Sequence, residues 1–307
     1  MILNIGQRTD IPAFFSEWFY NRIRAGFVLV RNPYHPELIT RYALDPQVVD
    51  VLSFCTKNPA PMLDRLDEIR AFRQFWSITI TPYGKEIEPN VPDKREIIKA
   101  VKILSAKIGS KCISIRYDPI FISKKYSIHF HIRAFERLLS ELEGYTEQAV
   151  ISFIDLYQKT KRNFPQLREV PLQEQKQIAA AFAGIGKRHG VLIRSCCENP
   201  ALSEYGLDTG GCLTKEVLEY AIGENLCVPN RKGPRAQCSC LLGNDIGAYN
   251  TCMHLCKYCY ANFDKNTVLR NFKQHDPHSP LLIGDVAPGD KIKEAKQQSF
   301  LCPQLHF

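Results

Sequence analysis

Three cysteines near the carboxyl end of the chain form the pattern best suited to chemistry. Cys252, Cys256 and Cys259 lie in the run T-C-M-H-L-C-K-Y-C-Y, a C-x3-C-x2-C spacing with Tyr258 just before the third cysteine. A four-iron four-sulfur cluster takes one thiolate per iron, so three cysteines from one loop would leave one iron open. An open metal position is typical of a reactive site rather than a structural one.

A zinc site is the alternative interpretation of the same run. Zinc loops usually combine paired C-x2-C units with further Cys or His residues at matching spacing. Here His254 lies between the first two cysteines, where it is poorly placed as an additional ligand. The spacing therefore favours an iron–sulfur centre, and a cysteine-rich loop without chemistry is the remaining alternative.

Four further cysteines are candidates for a second metal site. Cys238 and Cys240 form a C-x-C pair shortly before the run, and Cys196 and Cys212 lie upstream of them. Four thiolates would close such a site, which would then be an auxiliary iron–sulfur cluster or a structural zinc. The alternative is that the pair supplies one ligand to the main cluster and that Cys196 or Cys197 is a core residue.

The remaining cysteines show no such pattern. The chain contains twelve cysteines, and this number favours metal or redox use over a disulfide framework in an intracellular protein. Cys55 and Cys112 stand alone in apolar segments, so we expect them in the core. Cys302 lies in the tail, and we expect it to be incidental.

The composition is that of an ordinary globular protein. The chain has 307 residues, of which 45% are hydrophobic, and a formal net charge of +8. This charge permits an anionic partner such as nucleic acid but does not require one. The first residues show no signal-peptide pattern, and no stretch approaches the roughly 20 apolar residues of a membrane helix. We therefore expect a cytoplasmic protein without membrane contact.

Short apolar runs alternate with helical patterns before the cysteine-rich part of the chain. The runs are apolar on both faces, as in strands of a covered parallel sheet, and the helices between them predict right-handed crossovers. The predicted strands are Ile2–Ile5, Phe27–Val30, Val48–Phe54, Trp76–Ile80, Cys112–Ile115, Ala149–Ile154 and Val191–Arg194. The predicted helices are Pro12–Ala25, Pro92–Ile108, Ser127–Leu142 and Leu172–His189.

This α/β alternation predicts a TIM-like (β/α) barrel that is irregular or incomplete. Either an eighth strand lies near Leu281–Ile283 or the barrel has only seven strands. No G-x-G-x-x-G follows the first strand, which disfavours an open dinucleotide-binding sheet. We divide the chain into a barrel domain (1–222), a cysteine-rich cluster-binding segment (223–264) and a carboxyl-terminal strap or lid (265–307).

Polar residues follow the predicted strands. In a parallel barrel the carboxyl ends of all strands meet at one mouth, where active sites lie, although some such residues serve as helix caps or loop anchors. The residues to which we assign catalysis or substrate contact are Arg8, Asp10, Lys57, Arg116 and Asp118. Those to which we assign cofactor binding are Asn58, Tyr83, Asp155 and Glu198, and Arg31 belongs to the same strand-end set.

Motifs along most of the chain resemble the bacterial family called domain of unknown function 1848. They include R-T-D-I-P, V-R-N-P, T-K-N-P-A-P, T-P-Y-G, E-P-N-V-P-D-K, R-Y-D-P-I, S-E-Y-G, D-I-G-A-Y-N-T-C and L-C-K-Y-C-Y-A-N. The resemblance extends to about residue 264 and continues in the H-D-P-H-S-P-L-L tail. It implies a fold and a cysteine cluster, since no reaction is established for that family.

The cluster motif itself is similar to that of radical S-adenosylmethionine enzymes. This likeness implies that the open iron binds S-adenosylmethionine, which one electron cleaves to a 5′-deoxyadenosyl radical. It further implies an electron donor such as a flavodoxin or ferredoxin, and packing of Tyr258 beside the adenine. The chain departs from that superfamily because its cysteine loop follows the barrel instead of the first strand, and because it lacks a G-G-E motif.

Two functions follow from these patterns. The first is a radical S-adenosylmethionine-like enzyme acting on an unidentified substrate. The second is a non-radical barrel protein, either a metal-assisted hydrolase or a nucleic-acid-binding factor, with a structural zinc or iron–sulfur site. In the second case Asp10, Asp118, Asp155 and Glu198 could hold a divalent metal.

Overall fold

A computed structural model describes residues 1–229, 238–242 and 244–303 of the chain. The strands are β1 (Ile2–Ile5), β2 (Phe27–Arg31), β3 (Leu38–Ala43), β4 (Val51–Thr56), β5 (Gln74–Thr79), β6 (Ile113–Ile120), β7 (Gln148–Phe153), β8 (Leu192–Ser195) and β9 (Lys291–Glu294). The α-helices are α1 (Ile11–Phe14), α2 (Ser16–Ala25), α3 (Lys94–Ile108), α4 (Ile128–Glu141), α5 (Gln158–Asn163), α6 (Leu172–Arg188), α7 (Lys215–Ile222) and α8 (Lys265–Phe272). Shorter 3-10 turns cover Ala60–Ile69, Ser110–Cys112 and Pro200–Tyr205.

Six parallel strands form the central sheet, in the order β1-β4-β5-β6-β7-β8. Each strand therefore pairs with the next main-sheet strand along the chain, for example with Leu3 opposite Leu52 and Trp76 opposite Ile113. The fold is mixed α/β, as the alternating pattern predicts. A closed TIM barrel is not confirmed, because no ladder joins β8 to β1 within the described residues.

Isolated pairings extend both edges of the central sheet. Asn4 of β1 forms a parallel bridge with Asp245, and Arg194 of β8 forms one with Asp208. Side chains beyond both edge strands, such as Arg8 and Cys196, line the same cavity. The sheet must therefore be strongly curved, because a flat sheet of six strands would hold its two edges far apart.

One predicted strand lies outside the central sheet. β2 pairs antiparallel with β3, and β3 pairs parallel with β9, so these three strands form a separate sheet. The reason is the short connection over residues 32–37, since a few residues can reverse the chain but cannot make a parallel crossover. The predicted eighth strand is also wrong: within that segment only Leu281 forms a bridge, with Leu29 of β2.

The predicted helices form close to their expected bounds. Pro12–Ala25 divides into α1 and α2 at Phe15. Side chains cap three of these four predicted helices at their starts: Asp10 accepts a hydrogen bond from the Ala13 N–H at 3.1 Å, Asp93 caps α3 and Ser127 caps α4. Such caps satisfy amide groups that have no partner inside the helix.

Aromatic packing joins the helical layer to the central sheet. The rings of Phe135 on α4 and Phe182 on α6 stack with centroids 3.9 Å apart. Tyr117 of β6 meets both rings edge-on, at 5.2 and 5.5 Å. Such ring pairs add to the area burial that holds the helices on the sheet.

The residues after α7 are fastened to the rest of the molecule. Cys227 and Cys302 form a disulfide. The expectation that Cys302 is incidental is therefore wrong. The Cys227 N–H donates to the Phe300 carbonyl at 2.6 Å, and the Trp18 indole donates to the Ser279 carbonyl at 2.9 Å. In the described part of the chain, no helix combines the length and apolarity needed to cross a bilayer.

Candidate metal and substrate site

A cavity of about 390 Å³ opens at the carboxyl ends of the central strands. This is the edge where parallel α/β sheets place their ligands. The predicted site residues on its wall are Arg8, Asp10, Lys57, Arg116, Asp118, Asp155, Cys196, Cys212, Cys252, Cys256, Tyr258 and Cys259. The loop that follows the barrel segment thus folds back over the strand ends.

Hydrogen bonds within the three-cysteine loop hold it in the conformation that lines the cavity. The Cys259 N–H donates to the Cys256 carbonyl at 3.1 Å, and the Asn262 side chain donates to the Cys252 carbonyl at 2.8 Å. The backbone of Leu255 takes a positive φ of 55°, which tightens the turn between the cysteines. These bonds hold three sulfur atoms from one loop on one wall.

The sulfur spacing in this described loop differs from that of a single-ion site. Three thiolates on one zinc ion lie about 3.8 Å apart, given a zinc–sulfur bond of about 2.3 Å. Cys252, Cys256 and Cys259 do not form a group in which all three sulfurs lie within 4.8 Å of one another. Wider spacing suits a cluster, in which each thiolate binds a different iron.

Burial raises the pKa of all three thiols in this loop. It raises the pKa of the Cys256 thiol to about 12 and the pKa of Cys252 well above its usual value. The pKa of Cys259 is raised by burial as well. Metal binding at these sulfurs would therefore have to displace protons.

A buried carboxylate, which the strand-end pattern missed, organises the wall beside Tyr258. Glu88 is 1% exposed and accepts hydrogen bonds from the Lys57 ammonium at 2.8 Å and the Thr81 hydroxyl at 2.7 Å. It also accepts from the Lys94 ammonium and the Tyr258 hydroxyl. The Lys57 ammonium in turn lies 5.6 Å from the Tyr258 ring centroid.

Electrostatics keep Glu88 ionised. Burial alone would raise the pKa of Glu88, but the ammonium groups of Lys57 and Lys94 outweigh it and hold that pKa at about 2. Glu88 and Lys94 begin and end the motif E-P-N-V-P-D-K, which was the available sequence signal. No apolar strand directly precedes either residue, so the strand-end rule could not select them.

Asp10 links the cysteine loop to the ends of β1 and β4. Its carboxylate accepts hydrogen bonds from the Thr56 hydroxyl at 2.6 Å, the Lys57 N–H at 2.7 Å and the His254 Nε2 at 2.9 Å. Because a carboxylate only accepts, Nε2 carries the proton of this ring. The buried Nδ1 of His254 has no partner among the described residues. Asp10 thus positions the loop that carries the cysteines.

Arg116 and Asp118 form a second charged group on the wall. The Arg116 guanidinium donates to Asp118, whose carboxylate also accepts from the Ser152 hydroxyl. Burial would lower the pKa of Arg116, but Asp118 and the thiols of Cys212 and Cys196 raise it well above its usual value. Arg116 is therefore a fixed positive charge between a carboxylate and two cysteines.

A second set of cysteines meets beside Arg116. Cys196, Cys212 and Cys240 have sulfur atoms within 4.8 Å of one another, and the Cys212 sulfur lies 3.4 Å from each of the other two. Hydrogen bonds from the Cys197, Cys212 and Cys240 thiols lower the pKa of Cys196. These three cysteines could hold a metal ion, as the sequence suggested for three of its four candidates.

Apart from Cys240, which belongs to the second cysteine set, five of the strand-end and cysteine candidates lie away from the cavity wall. Asn58 accepts a hydrogen bond from the Ala60 N–H at 3.2 Å, and Tyr83 stacks on Phe121 with centroids 4.3 Å apart. Glu198 accepts from the Phe153 N–H at 2.8 Å, and burial raises the pKa of Glu198 to about 8.

The other two are Arg31 and Cys238. Arg31 pairs with Asp290 at 2.8 Å in the smaller sheet, because its strand never joins the central one. Cys238 does not belong to the group formed by Cys196, Cys212 and Cys240 in the described residues. It packs at the margin of the apolar cluster that contains those three cysteines and Leu213.

Comparison with protein families agrees with the motifs. The family model described as domain of unknown function (DUF1848) matches residues 2–261. The chain belongs to this family. Its match includes the whole central sheet, the E-P-N-V-P-D-K motif and the three-cysteine loop. No curated protein and no solved structure matched the chain.

Proposed function

We propose that this member of the family is an iron–sulfur enzyme similar to radical S-adenosylmethionine enzymes. Cys252, Cys256 and Cys259 would hold a four-iron four-sulfur cluster, and its open iron would bind S-adenosylmethionine in the cavity. The observation that carries the proposal is that all three cysteines face one cavity at the strand ends. When bound, such a cluster supplies the electron that cleaves S-adenosylmethionine.

The donor set fits a cluster of this kind. The ligands are three thiolates from one loop, and their sulfurs are not all as close together as the ligands of one zinc ion. Cys256 is buried and Cys252 and Cys259 are half-buried, and such burial limits the access of water to a reactive centre. A flavodoxin or ferredoxin would supply the electron.

Residues of the chain would bind and orient the small molecules. S-adenosylmethionine has a carboxylate that a cation can pair with, and Arg8 and Lys57 are cations on the wall. Tyr258 presents an aromatic ring fixed by Glu88, and we assign it to packing beside the adenine. Arg116, Asp118 and Asp155 remain for the substrate.

The residues of the cavity wall fit the alternative function, a metal-assisted hydrolase, less well. Such an enzyme needs carboxylate oxygens that are available to a divalent ion. Asp10 already accepts hydrogen bonds from Thr56, Lys57 and His254, and Asp118 accepts from Arg116 and Ser152. These hydrogen bonds leave fewer carboxylate lone pairs free to bind a divalent ion.

The first prediction concerns cluster assembly. Anaerobic reconstitution should give a brown protein that gains about four iron and four sulfide per chain at this loop. Its reduced form should change its electron paramagnetic resonance spectrum when S-adenosylmethionine is added and should release 5′-deoxyadenosine. Cys256→Ser should lose the iron and the product, whereas Cys112→Ser should retain both. Zinc alone at the loop, with no 5′-deoxyadenosine, would contradict the proposal.

A further inference from the structure

The second cysteine set consists of Cys196, Cys212 and Cys240 and is separate from the three-cysteine loop. We propose that Cys196, Cys212 and Cys240 bind one thiophilic divalent ion of the zinc type, whose fourth coordination position faces the cavity. We further propose that this position takes the thiolate of a small thiol substrate. The inference goes beyond the proposed function, because it concerns different sulfurs and does not require S-adenosylmethionine.

The spacing of the sulfurs fits one ion. The Cys212 sulfur lies 3.4 Å from the Cys196 sulfur and 3.4 Å from the Cys240 sulfur. Thiolates around a tetrahedral zinc ion lie about 3.8 Å apart, so a small outward shift of the side chains would admit the ion. Three sulfur ligands select soft ions over magnesium or calcium.

The local backbone is arranged to support a thiolate at Cys240. The N–H groups of Cys212 and Leu213 both point at the Cys240 sulfur, each at 3.3 Å. Paired N–H donors of this kind stabilise a negatively charged sulfur and orient a metal ligand. Gly211 makes the approach feasible: its φ is +117°, and a Cβ there would lie 2.7 Å from the Ser239 hydroxyl.

Three segments far apart in sequence supply the sulfurs. Cys196 follows β8, Cys212 lies in the turn before α7, and Cys240 comes from the segment that precedes the three-cysteine loop. All three residues are buried, with exposed fractions of 8%, 7% and 4%. A bound ion would therefore be shielded from bulk solvent and would join these segments.

The fourth position is the decisive feature. Among the described residues, no fourth His, Cys, Asp or Glu has its ligand atom within 4.8 Å of all three sulfurs, and the Cys197 thiol lies beside Cys196 alone of the three. Cys196 and Cys212 both line the 390 Å³ cavity, so an ion bound by them would be accessible from the cavity. A zinc ion with three protein ligands and an accessible fourth position is typical of catalytic sites.

The ligand class follows from the ion and its surroundings. An ion selected by sulfur prefers a soft fourth donor, and a thiol is the commonest small one. The thiol would lose its proton to water on binding, since a coordinating thiol is deprotonated. The positive charge of Arg116, which lies near Cys196 and Cys212, would offset part of the charge added by the new thiolate.

Cobalt(II) is the probe that tests this proposal. The full chain carrying Cys252→Ser, Cys256→Ser and Cys259→Ser would be loaded with Co²⁺, so that the cluster loop cannot contribute. We expect sulfur-to-cobalt charge-transfer absorption from three thiolates. Adding 2-mercaptoethanol should raise this absorption by about one third, because a fourth thiolate joins the ion. Cys212→Ser in the same background should abolish most of it, whereas Cys112→Ser should not change it.

A second measurement covers the case in which the triple variant fails to fold. Zinc-edge X-ray absorption of the zinc-loaded natural chain would count the sulfur neighbours of the ion at this site. With reconstituted iron in the other loop, we expect three sulfurs and one lighter neighbour, and four sulfurs after 2-mercaptoethanol is added.

Three results would overturn the proposal. Absence of thiolate absorption would show that the set binds no ion. Four sulfurs before any thiol is added would show a closed structural site, and the loss of one sulfur in Cys197→Ser or Cys238→Ser would identify the closing ligand. Failure of 2-mercaptoethanol to change either spectrum would exclude the open position. None of these results alters the iron or 5′-deoxyadenosine readout, so the two proposals fail separately.

Discussion

Single residues at the cavity differ in whether they act directly or hold others in place. Glu88 is the clearest case of the second kind, because its carboxylate binds Lys57, Lys94, Thr81 and Tyr258 together. Two ammonium groups beside one buried carboxylate are tolerable only while that carboxylate is ionised. Loss of its charge would therefore disturb the wall on which Lys57 and Tyr258 depend.

We predict that Glu88→Gln lowers the free energy of unfolding by about 3 kcal/mol or more, since breaking a buried ion pair leaves charges unpaired. The measurement is urea unfolding near neutral pH. The matched control is Glu86→Gln, whose carboxylate binds Lys125 and Tyr126 at the surface and is 46% exposed. That change should cost less than about 1 kcal/mol. Equal losses in the two variants would show that the Glu88 network does not stabilise the fold.

Site residues could be predicted from the sequence where they lie at the carboxyl ends of predicted parallel strands. Lys57 reaches the cavity because it follows the parallel strand β4, and Arg116 reaches it from within β6, which extends beyond the predicted strand. Arg31 does not, because its strand pairs outside the central sheet. Glu88 could not be selected in this way, since its role depends on contacts with residues 6 to 170 positions away.

At the scale of elements, α4 shows how a polar side chain can be part of a core. His131 is fully buried between α4 and β6. Its Nε2 donates to the Phe121 carbonyl at 3.0 Å, so its Nδ1 accepts from the Tyr117 hydroxyl at 2.9 Å. Burial lowers the pKa of His131 to about 4, so the folded protein keeps this ring neutral at neutral pH.

This burial predicts a dependence of stability on pH. The unfolded ring has a pKa of about 6.5, so the unfolded state binds a proton over a range in which the folded state does not. Stability should therefore fall by about 3 kcal/mol as the pH drops from about 7 to about 4. His131→Gln should remove this part of the pH dependence in urea unfolding. His129→Gln, on the exposed face of the same helix, should leave it in place.

Helices and strands could be predicted where the spacing of apolar residues and the length of the segment indicated the same element. They could not be predicted where strand conformation depends on pairing with a distant strand. The helical patterns predicted α3, α4 and α6 because apolar spacing is local, and α3 and α4 also have local capping residues. β3 and β9 were missed, since β3 is half-buried along most of its length and β9 is exposed throughout. Their strand conformation depends on partners that local sequence does not specify.

At the scale of the whole molecule, the disulfide between Cys227 and Cys302 joins the region after α7 to the tail. It closes a loop with a sequence separation of 75 residues, and this loop includes the three-cysteine run. A pair of backbone contacts supports it, since Leu226 forms an antiparallel bridge with Leu301 and the Cys302 N–H donates to the Asn225 carbonyl at 3.0 Å. The tail is thereby held beside the segment that carries the metal ligands.

We predict that Cys302→Ser lowers the free energy of unfolding by about 4 kcal/mol under oxidising conditions, because the cross-link restricts the unfolded chain. Urea unfolding with and without dithiothreitol is the measurement. Reduction should weaken the natural protein and leave Cys302→Ser unchanged. Cys112→Ser should respond to dithiothreitol as the natural protein does. A natural protein that is insensitive to reduction would show that the cross-link adds no stability.

The position of the three-cysteine loop late in the chain has a consequence for biosynthesis. All six strands of the central sheet precede residue 196, and the ribosome releases them before Cys252, Cys256 and Cys259. Because synthesis proceeds from the amino terminus, the segments of the sheet are available to fold while those cysteines are still inside the exit tunnel. For the iron–sulfur cluster proposed above, factors that deliver iron and sulfide would then meet a nearly finished scaffold, and errors in their supply would leave that scaffold folded.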